Sequence, residues 1–156
     1  MVSLSELTIQ PGNDALAALR NAWRWMLGEH WTPLLFSAIG DIFLELPSGS
    51  VWWLSTATAG LEQIAESRDR FHELLATDRA AEWFLPGLVE ALRAGGKPLE
   101  PDQCYTYVIL PIFAEGSFSA ENMRPGSAEE HYRLTGQLHE NLQRLPVGAE
   151  VRIIFA

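Results

Sequence analysis

The spacing of apolar and polar positions changes period several times along this chain. Between Asp14 and Leu27, the residues Leu16, Leu19, Ala22, Trp23 and Met26 recur at helical spacing and form one apolar stripe. Asn13 supplies an N-cap and Gly28 a C-terminal stop, so a helix is predicted over 14–27. Trp25 falls off its stripe. A connection from Glu29 to Pro33 follows, and strand character begins at Leu34. There Ile42, Leu44 and Leu46 alternate with Asp41, Phe43 and Glu45, the two-residue period of a strand. Pro47-Ser48-Gly49-Ser50 reads as a turn and Val51 to Thr56 as the return strand. Thr58-Ala59-Gly60 reads as a second turn, and Leu61 to Ala65 as a third strand. The product is an antiparallel meander.

Helical spacing then resumes. Ser67 caps a helix with Asp69 in its first turn, and Phe71, Leu74 and Leu75 form the apolar side. A further helix is predicted from Asp78 to Ala94, with Trp83, Phe84, Leu88, Ala91 and Leu92 as its core face. Pro86 must kink or split it, and Gly95-Gly96 ends it. Cys104 to Phe113 is β-like but broken by Pro111, and Glu115 to Arg124 reads as irregular. His131 to Thr135 is expected as a strand, Gly136 to Leu145 as a short helix stopping before Pro146, and Val151 to Phe155 as a terminal strand. The expected fold is a single α+β domain over 1–156, an antiparallel sheet covered by helices.

Trp52 and Trp53 stand side by side in the second strand of the meander. Successive side chains of a strand point to opposite faces, so either both faces are covered or one indole faces outward. Trp53 is expected with Val51 on one side, and Trp52 with Leu54 on the other.

Charge narrows the range of functions. Eleven basic residues against twenty acidic ones give a net charge of −9, with Lys97 the only lysine. The chain has no basic stripe, which disfavours a nucleic-acid binder, because neutralising phosphates supplies most of that affinity. The acidic surplus reads either as solubility or as steering toward a basic partner. No apolar run reaches the roughly 18 residues that cross a bilayer. The N-terminal MVSLSELTIQ lacks the basic start and apolar block of a signal peptide, so a cytoplasmic location is expected. A single cysteine, Cys104, rules out an internal disulfide.

No catalytic signature is present: the chain contains no GxSxG, P-loop, HExxH or CxxC. His131 and His139 with Cys104 are the residues that could hold zinc, but their spacing lacks the tight local pairing of zinc ligands. A hydrolase using Cys104 and His139 requires those side chains within about 4 Å of each other. Glu129-Glu130 and Glu115/Glu121 read as solvated acids rather than an acid–base pair, which needs one member in an apolar pocket. No catalytic residue, metal or cofactor is therefore assigned. Six tryptophans are more than the core faces account for. Trp23 and Trp83 fit those faces, whereas Trp25, Trp31 and one of Trp52/Trp53 are candidates for an aromatic surface beside acids.

Three blocks of the sequence are familiar together. GDIFLELPSGSVWWLSTATAGLEQIAES resembles the Gly-Asp-apolar, turn, Trp-Leu-x-Thr-x-x-Gly core of a bacterial immunity-protein family that includes partners of DNase effectors of type VI secretion. QCYTYVILPIFAEGSFSAEN and GQLHENLQRLPVGAEV are similar to that family's later blocks, so the resemblance spans about 39–151. Ser55 stands where the family often carries Asp, and Ala114-Glu115-Gly116 replaces a common Gly-Gly pair. The resemblance implies a non-enzymatic protein that binds and neutralises a cognate toxin, a basic nuclease effector, by occluding its active site. It implies no contact with nucleic acid or membrane. Under that reading the candidate partner-binding residues are Asp41, Glu45, Trp52, Glu115 and Glu121. The alternative is an adaptor or regulatory domain of the same fold without a toxin partner.

Overall fold

The turn at Pro47–Ser50 brings two short strands, β3 (Ile42–Glu45) and β4 (Val51–Ser55), together in a computed structural model that describes residues 3–145. Phe43 sits opposite Trp53, and Leu44 opposite Trp52. Phe43, Val51 and Trp53 face a cluster containing Phe71, Trp83, Phe84, Val89 and Leu92. Ile42, Leu44 and Leu54 face a second cluster containing Leu19, Trp23, Trp31 and Tyr132, on which Trp52 packs. Both faces of the hairpin are thus covered, and each tryptophan lies on its expected side. A strand buried on both faces has no polar side to show, which is why Ile42-Phe43-Leu44 runs apolar.

Around this hairpin the sheet is a meander, β1 (Thr8–Ile9), β2 (Thr32–Ser37), β3, β4 and β5 (Gly60–Ala65), antiparallel and in chain order. A one-turn helix, α1 (Leu4–Leu7), precedes it. One face carries α4 (Arg68–Leu75), α5 (Arg79–Phe84) and α6 (Pro86–Ala94). The other carries α2 (Asn13–Ala22) and α3 (Arg24–Leu27), together with α7 (Ala128–Leu142), which packs along α2. A separate two-stranded ribbon pairs β6 (Gln103–Tyr107) with β7 (Met123–Ser127). The α+β class holds.

Three elements differ from expectation, each for a local reason. The helix predicted over 14–27 breaks at Trp23, whose ψ of 9° leaves helical geometry. The break redirects Trp25, whose indole N–H donates to the Gly136 carbonyl at 3.1 Å while its ring stacks on Trp23. The helix predicted over 78–94 splits as expected, at Leu85, because the residue before proline is crowded out of the right-handed helical region and Pro86 opens a new first turn. The strand expected at His131–Thr135 is instead the middle of α7, which starts where the Ser127 hydroxyl accepts from the Glu130 amide. Met123–Ser127, which begins inside the stretch expected as irregular, forms β7; the sheet has only two strands, so Pro125 needs no second neighbour. The predicted strand at Val151–Phe155 lies outside the described residues.

Candidate partner-binding surface

Between β6 and β7 the chain makes a loop, residues 108–122, that keeps large apolar side chains in solvent. Val108 is 60% exposed, Ile112 48% and Phe118 47%, with Ile109 beside them at 38%. A loop that merely connected two strands would not hold four such groups outside. Its shape is fixed from within by Asn122, whose Nδ2 donates to the carbonyls of Ile109 and Ser117 at 2.7 and 2.8 Å. Asn122 Oδ1 accepts from the Ile109 amide at 2.9 Å, and Lys97 Nζ ties the loop's far end through the Ala120 and Met123 carbonyls. Leu110 turns inward, into the core, and Phe113 packs against it. Glu115 and Glu121 stand exposed on the same loop.

Phe118 also forms one wall of a cleft of about 510 Å³ at the end of the sheet. Ile39, Trp53, Leu61 and Leu85 supply the rest of its apolar lining, and Glu62 and Glu82 stand exposed at it. The β4–β5 register puts Glu62 directly opposite Trp53. Phe118 itself is propped edge-on against Tyr107 of β6. Phe118 therefore joins the loop to the cleft, and each carries exposed carboxylates.

Beneath the cleft lies a buried polar network. Asp41 is 3% exposed. Its Oδ1 accepts from the Thr56 amide at 3.0 Å and its Oδ2 from the Trp53 indole at 3.2 Å. The Thr56 hydroxyl donates to the Gly40 carbonyl at 3.0 Å and lies 2.8 Å from His131 Nε2, whose Nδ1 lies 2.8 Å from the Thr106 hydroxyl. With its proton given to Gly40, the Thr56 oxygen is left to accept, which assigns the His131 proton to Nε2. His139 Nε2 must likewise donate to the Thr56 carbonyl at 2.9 Å. Burial raises Asp41 to about 7 against the hydrogen bonds that favour its carboxylate, so desolvation is the larger effect. Burial lowers His131 to about 4, with the neighbouring His139 acting in the same direction, and His139 is lowered for the same reason.

Not all of the sequence-predicted site residues gather at this surface. Glu115 and Glu121 are on the loop. Asp41 lines the cleft but is buried and hydrogen-bonded, which corrects its reading as an exposed docking acid. Glu45 lies toward the turn end of the hairpin and is taken by Arg68, whose Nε and Nη2 reach it at 2.7 and 3.0 Å and hold its carboxyl below the ordinary value. Trp52 is half-buried on the opposite face, its N–H donating to Ser50 Oγ at 2.9 Å. Cys104 is fully buried in an apolar cluster and its thiol is pushed far up by desolvation, conditions that suppress a nucleophilic thiolate. Sequence reasoning missed Val108, Ile109, Ile112, Phe118, Glu62 and Glu82. The signal for the loop was present: an apolar run, Val108 to Leu110, carried past the end of a strand into a Pro-containing loop.

Residues 65–139 match the family model described as T6SS immunity protein Tdi1, C-terminal. The matched stretch runs from the end of β5 through α4–α6, the β6–β7 ribbon with its loop, and α7 as far as His139. The likeness read from the sequence blocks is thus to a type VI secretion immunity family. No curated protein matches the chain.

Proposed function

We propose, on the premise of this likeness to type VI secretion immunity proteins, that the chain binds and neutralises a cognate toxin through the 108–122 loop and the adjoining cleft. The observation that carries this reading is the exposure of Val108, Ile109, Ile112 and Phe118 in a loop whose backbone is tied down. Apolar groups held rigidly in water supply binding energy without a large ordering cost, because their conformation is fixed before the partner arrives. Aromatic and aliphatic anchors at the centre, with carboxylates around them, match the anatomy of a protein–protein interface. The toxin is a secreted nuclease, its cleft basic because it must hold phosphates, and the acidic rim docks over that cleft and closes it. Protection then needs no chemistry from the immunity protein, only occupancy inside the producing cell's cytoplasm.

The test is protection in a cell that makes the toxin. Val108→Ser, Ile112→Ser and Phe118→Ser together remove the anchors, and only Phe118 touches the core, at the edge of Tyr107. The expected result is lost protection and loss of the toxin complex, with the thermal midpoint lowered by no more than a few degrees. Full protection by the triple variant would overturn the proposal.

A further inference from the structure

The cleft beside the loop is more selective than a general apolar patch. Its lining holds two exposed carboxylates, Glu62 and Glu82, with the buried and hydrogen-bonded Asp41 beneath them, and no Lys, Arg or His. Its walls are an indole, a phenyl ring and two leucines. A purely apolar anchor would satisfy those walls but strip water from the carboxylates with nothing in return, which costs free energy. An ammonium would meet the carboxylates but is strongly hydrated and gains little from a flat aromatic wall. A guanidinium on an aliphatic stem satisfies both demands: it is weakly hydrated, stacks on aromatic faces and bonds carboxylates through a planar fork.

Resting on the toxin-binding reading, we infer that this cleft is the receptor for one arginine side chain of the basic partner. The stem lies along Leu85 and Phe118, the guanidinium stacks at Trp53, and Glu62 and Glu82 accept its hydrogen bonds. Both acids are available for this. Glu62 has no ion-pair partner among the described residues. Glu82 meets Arg79 only at 3.5 Å between two largely exposed side chains, a contact that contributes little and is readily exchanged.

The experiment uses the full chain and acetyl-arginine amide as probe, with no toxin present. The Trp53 indole N–H and the Leu85 methyl groups are followed by NMR. A saturable shift at both sites is expected with arginine amide, and about tenfold weaker binding with the isosteric, uncharged citrulline amide. Glu62→Gln with Glu82→Gln should also weaken arginine binding about tenfold, both positions being exposed so that folding is unaffected. Equal binding of citrulline amide, equal binding of lysine amide, or no saturable shift would each overturn the assignment. Failure here leaves the toxin complex intact as judged by the protection assay, and failure of protection leaves the titration unaltered, so the two readings fall separately.

Discussion

At the residue scale, two glycines and one buried pair of titratable groups govern the stability of the fold. Gly136 lets α7 approach α2: a Cβ there would lie 2.6 Å from the Ala22 carbonyl oxygen and 2.7 Å from its Cβ. Both obstacles belong to the facing helix backbone or sit on it, so neither can swing aside. Gly136→Ala should therefore cost about 1–3 kcal/mol, read as a lower urea midpoint at unchanged slope. Gly40 is more demanding, since its φ of 86° disfavours any side chain and a Cβ would run into the His131 ring. The Asp41–His131 pair makes a sharper prediction. Asp41, raised to about 7, keeps its proton when folded, so its contribution to stability is greatest below pH 4 and is lost as pH rises to 7. His131, lowered to about 4, does the reverse: its contribution is present above pH 6.5 and is lost as pH falls to 4. The two are worth roughly 4 and 3 kcal/mol at one pH unit per 1.36 kcal/mol, so they nearly cancel between pH 4 and 6.5. The wild-type profile should therefore rise there only by the share that the lowered His139 adds. Asp41→Asn should uncover a rise of about 3 kcal/mol over the same range, with the lowered His139 adding to it, and His131→Gln should uncover a fall. Urea titrations at a series of pH values decide the matter: a profile for Asp41→Asn that parallels the wild type would refute the cancellation.

At the scale of elements, the 108–122 loop behaves as a unit because one side chain closes it. Asn122→Ala deletes three hydrogen bonds that join Ile109, Ser117 and Asn122. The loop lies outside the main sheet, so the loss should appear locally. Hydrogen exchange at the Ile109 amide should accelerate about tenfold or more, toxin affinity should fall, and the thermal midpoint should move by only a few degrees. Unchanged exchange at Ile109 would mean that the loop is held by something other than Asn122. The same loop shows what sequence reading reaches. Elements with a clean period and strong punctuation were legible: the hairpin around Pro47–Ser50, the Ser67 cap, and the division of α5 from α6 at Pro86. Elements that depend on a distant partner were not. β7 is a strand only because Tyr105 and Cys104 pair with Pro125 and Gly126, and nothing local announces that. α7 was read as strand then helix, because His131, Tyr132 and Thr135 face the sheet at positions whose burial only the packed fold defines. Asp41 was misjudged for a related reason. An acid in an alternating strand looks exposed until the donors of Thr56 and Trp53 are seen to surround it.

At the scale of the whole molecule, a net charge of −9 acts before any contact forms. A field of that sign accelerates encounter with a basic partner and repels nucleic acid, so charge and apolar anchors should govern different rate constants. Asp41 and Glu45 take no part in steering, the first being buried and the second paired with Arg68. Under the proposed reading, the steering set is Glu62 and Glu82 at the cleft with Glu115 and Glu121 on the loop. Changing all four to Gln should slow association with the toxin about tenfold at low ionic strength and flatten its salt dependence. Near 1 M salt, where the screening length is about 3 Å, the variant and wild-type association rates should converge. The apolar variants at Val108, Ile112 and Phe118 should do the opposite, accelerating dissociation while leaving the salt slope of association in place. Stopped-flow association at several salt concentrations, with dissociation measured by competition, separates the two. Identical association rates and salt slopes for the four-Gln variant and the wild type would exclude electrostatic steering through this face. The apolar loop would then have to account for recognition by itself.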